Sequence, residues 1–174
     1  SSNNHHLNSR GPISTSVTRS SGKQGYGQTL SSGYMEPSAG QTIAIGEVGT
    51  LSCWIKTTGY DRGLVIIDEG YRDNLIGIWL DSSGKVMASM EESSNAQLKR
   101  FSSSTVNDGQ WHHIVAVRRD NLVQLYLDAA LVGSADSSAV PEGFDCGAPL
   151  HLGWVPSSSF LRGQVDELVA WDRA

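Results

Sequence analysis

The chain has 174 residues, of which 39% are hydrophobic, 18% are charged and 19 are glycine, and its formal net charge is -5. That balance fits one globular domain with a real interior and excludes a disordered tail. With no basic run longer than Arg118-Arg119 it offers no face for a phosphate backbone, so no nucleic-acid partner is expected, and no apolar run reaches the about 20 residues of a membrane span.

Residues 1–24 are polar and irregular and are expected to form a lead-in lying on the surface of a domain that occupies 25–174. The first strong strand is Thr50–Lys56, with Leu51, Cys53 and Ile55 on one face and Ser52, Trp54 and Lys56 on the other. After the turn TTGYDRG, Leu64–Asp68 reads as a buried strand, EGYRDN as a loop and LIGIWLD as a strand. In that strand Ile76, Ile78 and Leu80 share the core face, so Trp79 points to the opposite one. Asp81-Ser82-Ser83-Gly84 is a hairpin turn, its glycine suited to positive φ, and KVMASME follows as a strand.

Glu92–Ser104 is a long polar stretch. Asp108-Gly109 signals a turn into the strand Trp111–Arg118, which is apolar on both faces. LVQLYLD, LVGSA, PLHLGW and QVDELVAWD are the remaining strands, with a rim loop from Asp136 to Gly147 and the loop VPSSSFLRG between the last two. About ten strands at roughly 8–12-residue spacing, without helices between them, predict an all-β, antiparallel two-sheet sandwich. The two cysteines, Cys53 and Cys146, read either as one disulfide closing a long loop or, more simply, as two buried free thiols.

NDGQWHHIVAVRRDNLVQLYLDAALVG (Asn107–Gly133) resembles the signature hairpin of laminin-G-like jelly-roll domains. LSCWIKTTG is similar to that family's early core strand, and PLHLGW with GQVDELVAWDRA to its closing strands. The resemblance covers about residues 22–174. It implies a concanavalin A-like β-sandwich and says nothing of the ligand. It also implies that the chain is a piece of a longer protein. The function expected from the rim side chains is non-catalytic recognition of carbohydrate or a cell-surface glycan in an extracellular, cell-surface or virion-surface setting. The usual glycine after Tyr-x-Asp is Ala129 here, which weakens a type I′ turn.

Catalysis is not expected. Sandwich glycoside hydrolases carry clustered carboxylates such as Glu-x-Asp-x-x-Glu, and no such run occurs. Glu91-Glu92 and Asp166-Glu167 are adjacent pairs that face opposite sides of a strand, and Asp68-Glu69 read as turn residues. His112 and His113 read as packing residues, and Trp54, Trp111 and Trp171 as core.

A structural Ca2+ has two candidate places. The resemblance implies that Asp166 joins backbone carbonyls of Leu30–Tyr34, and a turn-capping role for Asp166 is equally open. Asp73-Asn74 resemble a pentraxin calcium pair, but the loop before the last strand has no carboxylate to complete the site, so a turn role is favoured. For a glycan, Tyr60, Asp61, Arg62, Tyr71, Arg72, Asp73 and Asn74 are expected to share one rim with Trp154 and Phe160, beside Trp79. The alternative role is a structural or decorating domain of a larger assembly, such as an adhesin or a phage capsid or tail component, whose partners are neighbouring chains or domains.

Overall fold

The computed structural model describes residues 7–10, 17–38, 42–45, 48–60, 62–70, 73–93, 96–120, 122–136, 146–153 and 160–174. Among them, sixteen strands form two seven-stranded sheets and one two-stranded pair, and every described pairing between strands is antiparallel.

The first sheet runs β1 (Leu7–Arg10), β4 (Tyr34–Pro37), β15 (Leu150–Leu152), β7 (Arg62–Gly70), β8 (Asp73–Leu80), β9 (Lys85–Ser93), β10 (Ala96–Thr105). The second runs β13 (Ala130–Asp136), β12 (Leu122–Leu127), β11 (Trp111–Arg119), β6 (Val48–Thr57), β16 (Gly163–Trp171), β3 (Tyr26–Leu30), β2 (Val17–Ser21). β5 (Ile43–Ile45) and β14 (Cys146–Ala148) pair with each other.

The inner faces meet in one core. Leu51, Cys53 and Ile55 of β6, Ile114 and Ala116 of β11, and Val123, Leu125 and Leu127 of β12 come from the second sheet. Ile78 and Leu80 of β8, Val86 and Ala88 of β9, and Leu150 and Leu152 of β15 come from the first. Interdigitation of two such faces is what makes a sandwich stable. Cys53 is a free thiol with no exposed surface, and burial pushes its pKa up to about 12, so it packs as a small apolar group.

Three expectations change. The irregular lead-in contains β1 and β2, which lie at the edges of the two sheets, where a strand needs a neighbour on one side only. The polar stretch 92–104 contains the edge strand β10 for the same reason: polar residues suit an edge that water can reach. Trp54, Trp111 and Trp171 are half-buried and stand outside the core cluster. For Trp54 the cause is parity, since Leu51, Cys53 and Ile55 already hold the inward positions of β6.

The hairpins follow their turn residues. Asp81 Oδ1 accepts the backbone N–H of Ser83 and of Lys85 and the Ser83 hydroxyl, and Gly84 takes φ 83°. Between β12 and β13, Asp128 and Ala129 take φ 50° and 68°. Two left-handed central residues make a type I′ turn, so the turn forms despite the missing glycine and Ala129 bears the steric cost. Ala129→Gly is therefore expected to stabilise the protein by about 1 kcal/mol, a rise of roughly 2–4 °C in melting temperature. A melting curve unchanged or lowered by the substitution would contradict this.

Candidate functional site

The outer face of the first sheet collects aromatic side chains. Because Ile78 and Leu80 point into the core, Trp79 stands on the outside of β8, as parity predicts. Its indole N–H donates to Ser89 Oγ at 2.7 Å, and Ser89, on β9, is 2% exposed. The polar end of Trp79 is thus satisfied within the sheet, and what it offers outward is ring surface. Gly77, two residues earlier on the same face, pairs with Ser89 on one side and with Ile66 of β7 on the other. With no side chain there, the floor beside Trp79 stays low.

Beyond β7 lies His151, paired with Ile66. Two strand spacings separate it from Gly77, roughly 10 Å. Tyr34 tilts against His151, with ring centroids 5.9 Å apart at 59°, and stacks on Phe160 at 6.2 Å and 11°. Glu36 Oε2 stands 3.7 Å from His151 Nε2. Burial pushes the His151 pKa down, and the nearby Glu36 carboxylate opposes this without reversing it. At neutral pH the ring is therefore uncharged; its Nδ1 is buried and its Nε2 faces Glu36. Tyr34 and His151 were not singled out from sequence as site residues. The signal for His151 was its place between the two core leucines Leu150 and Leu152, which forces it outward.

The residues expected to share one rim do not all stand together. Tyr60, 56% exposed, lies in the turn before β7, and Arg62 opens that strand opposite Leu80. Asp73 and Asn74 open β8 at the other end of β7, Asp73 opposite Gly70. Nine residues of extended strand separate the two ends, roughly 26 Å. Tyr60 and Arg62 therefore cannot share a rim with Asp73 and Asn74, because successive turns of an antiparallel meander fall at opposite ends of the sheet. Phe160 stands with Tyr34, while Asp61, Tyr71, Arg72 and Trp154 lie outside the described residues.

Of its two expected roles, Asp166 has the hydrogen bonds of the cap. It is 8% exposed, at a bulge between β16 and β6. Its Oδ1 accepts the N–H of Glu167, which is left-handed at φ 47°, and its Oδ2 accepts the N–H of Gln24, both at 2.9 Å. A Cβ on Gly22 would run into that carboxylate, and one on Gly27 would lie 3.3 Å from Asp166 Cβ. The early segment facing Asp166 is thus Gly22–Gly27 and not Leu30–Tyr34. The groups turned toward it are N–H donors, whereas calcium needs converging oxygens, and no group of three or more His, Cys, Asp or Glu side chains suited to a metal occurs among the described residues. The arrangement fits a cap that ties the 22–25 turn to the bulge.

His112 and His113 also hold structure. His113 stacks on Trp54 at 4.8 Å, and its Nε2 lies 2.9 Å from Ser52 Oγ, while Lys23 Nζ sits 4.7 Å from the Trp54 ring centre. His112 Nδ1 is 2.8 Å from Asp128 Oδ2 and its Nε2 3.0 Å from Asp108 Oδ1. Two carboxylates on one ring call for both nitrogens to donate, which is the imidazolium. Burial opposes that charge, but the two aspartates outweigh it and raise the His112 pKa. A raised folded pKa contributes stability that is complete below the unfolded value near 6.5 and is lost as pH rises through the folded value. The melting-temperature advantage of the parent over His112→Gln is thus expected to shrink from pH 6 to pH 9. An advantage constant across that range would rule out the charged bracket.

A sequence model of the concanavalin A-like lectin/glucanases superfamily matches residues 28–174. The chain belongs to this superfamily. No curated protein matches it significantly. Solved structures share the family's fold at low identity. Domain 4 of AbnA, a GH43 extracellular arabinanase from Geobacillus stearothermophilus, solved with arabinotriose, has a TM-score of 0.80 at 16% identity over 94% of this chain and 81% of its own. The mouse laminin alpha1 chain, domains LG4-5, has a TM-score of 0.64 at 16% identity over 88% of this chain and 41% of its own. The CBM40 of the Ruminococcus gnavus IT-sialidase, bound to alpha2,3 sialyllactose, has a TM-score of 0.61 at 14% identity over 74% and 77%. At these identities the likeness establishes fold, and the laminin-G-like jelly roll expected from the signature hairpin is the fold observed.

Proposed function

We propose that this chain is a non-catalytic recognition module that binds carbohydrate on the outer face of its first sheet, between Trp79 and the Tyr34–Phe160–His151 group. The observation that carries the reading is the Trp79 ring on β8 and, on the same face across β7, the Tyr34–Phe160–His151 group with the Glu36 carboxylate beside the imidazole. Pyranose C–H faces stack on such rings, and hydroxyls pair with imidazole and carboxylate. Structural neighbours solved with arabinotriose and with sialyllactose support a sugar ligand. The absence of a Glu-x-Asp-x-x-Glu run supports binding over hydrolysis. Such a module serves at an extracellular, cell or virion surface, where glycans are presented.

The reading needs no calcium at Asp166, whose carboxylate oxygens already accept backbone N–H groups. A glycan array probed with the protein in calcium and again in chelator tests both points. Retention of sugars in both conditions is expected. Binding confined to calcium would restore an assisting ion, with Asp73-Asn74 the remaining candidate pair. No binding in either would remove the carbohydrate reading and favour the structural role in an assembly.

A further inference from the structure

On the opposite side of the sandwich, the outer face of the second sheet holds a groove of about 430 Å³ lined by Val115, Val117, Arg119, Leu122, Gln124, Tyr126 and Ala174. Its floor is built by three facing pairs of β11 and β12: Val115 with Tyr126, Val117 with Gln124, and Arg119 with Leu122. The pairs succeed each other two residues apart, so the groove is roughly 14 Å long. One wall is the C-terminal stretch, which Thr50 Oγ1 holds down by donating to the Arg173 carbonyl at 2.7 Å.

Each pair brings one polar group to the groove: the Tyr126 hydroxyl, the Gln124 amide and the Arg119 guanidinium. None of the three makes a hydrogen bond or ion pair among the described residues. Several other polar side chains of this sheet are engaged: Ser52 with His113, Thr29 with Ser20, Gln164 with Ser20. A preformed groove with a ring at one end, an amide midway, a guanidinium at the other end and aliphatic ground between them has the composition of a ligand site.

We propose that this groove is a second carbohydrate site, one that takes the acidic end of a disaccharide, with the sugar carboxylate on Arg119, hydroxyls on Gln124 and a pyranose face against Tyr126. The proposal rests on the carbohydrate reading above and adds a different face and a ligand class to it. Arg119 is the one ionised side chain lining the groove, and a guanidinium binds a carboxylate through two parallel hydrogen bonds. An aliphatic carboxylate would satisfy Arg119 and the valines but would cover the Gln124 amide and Tyr126 hydroxyl unpaired, which disfavours it. A sugar supplies hydroxyls along the same path. The net charge of -5 disfavours a long polyanion, so a single acidic residue at a chain end fits better.

Calorimetric titration of the full chain decides the matter. The probes are disaccharides ending in glucuronate, galacturonate or N-acetylneuraminate, their neutral hexose counterparts, and octanoate. At least one acidic probe is expected to bind about tenfold or more tighter than its neutral counterpart, the scale of one charge-assisted pair. Arg119→Gln, an exposed position, should remove that preference at an unchanged melting temperature, while Trp79→Ala should leave it in place. Acidic probes binding no better than neutral ones, Arg119→Gln retaining the preference, or octanoate binding most tightly would each overturn the proposal. If the preference vanishes in Trp79→Ala and survives in Arg119→Gln, the carbohydrate reading stands and this groove is not its second site. If none of these sugars binds while the array still retains glycans, this proposal fails and the carbohydrate reading stands.

Discussion

Asp166→Ala is expected to lower the melting temperature by roughly 4–16 °C. The carboxylate is 8% exposed and accepts two backbone N–H groups, those of Gln24 and Glu167. Removing it leaves part-buried donors without an acceptor, a loss of about 2–4 kcal/mol when the acceptor is charged. A domain of this size shifts about 2–4 °C per kcal/mol. The effect is local in origin and spreads through topology: the 22–25 turn leads into β3, and β3 pairs with β16, so the same bond joins the turn to the bulge beside it. Asp166→Asn keeps one acceptor oxygen and should cost about half as much. The Gln24 amide should also exchange with solvent faster in the alanine variant. A variant melting within 1–2 °C of the parent would show that the clamp contributes little. A melting difference that appears in calcium and vanishes in chelator would show that Asp166 serves a metal after all.

The second large effect is on binding. Trp79→Ala should weaken whichever glycan the array identifies on the first-sheet face by about 10–100-fold, the scale of losing an aromatic platform worth roughly 1.5–3 kcal/mol. Trp79→Phe should retain most of the affinity, because a smaller ring still stacks. Both variants lose the bond to Ser89 Oγ, so their stabilities should fall together while their affinities separate. That split distinguishes a contact with ligand from a purely structural tryptophan. Equal affinity in the alanine variant and the parent would place the glycan elsewhere.

Much of the fold could be read from residue order, because a strand announces its two faces. Leu51, Cys53 and Ile55 alternate with Ser52, Trp54 and Lys56, and the first three are buried. The signature hairpin is legible for the same reason, since β11 and β12 alternate along their length and a turn with two left-handed residues joins β12 to β13. The edges were harder. β1, β2 and β10 are polar, and a polar strand looks like a loop until its neighbour is known.

The site was less legible, and Tyr60 and Asn74 show why. Their loops are close in sequence, but a strand lies between them, and its length carries them to opposite ends of the sheet. Tyr34, Glu36, His151 and Phe160 are far apart in the chain and meet because β4, β15 and the stretch before β16 are brought side by side. Asp166 could be read from sequence as a cap or a ligand, and the choice depended on whether N–H groups or carbonyls faced it.

What the sequence determined alone was the sandwich itself, its core faces and its turns, because those follow from periodicity of two and from local φ preferences that each segment carries within itself. What only the tertiary structure decided was which side chains share a surface, because strand order and register are set by the packing of distant segments against a common core. Trp79 beside Gly77, Tyr34 on Phe160 and Arg119 at the end of an open groove are all products of that pairing.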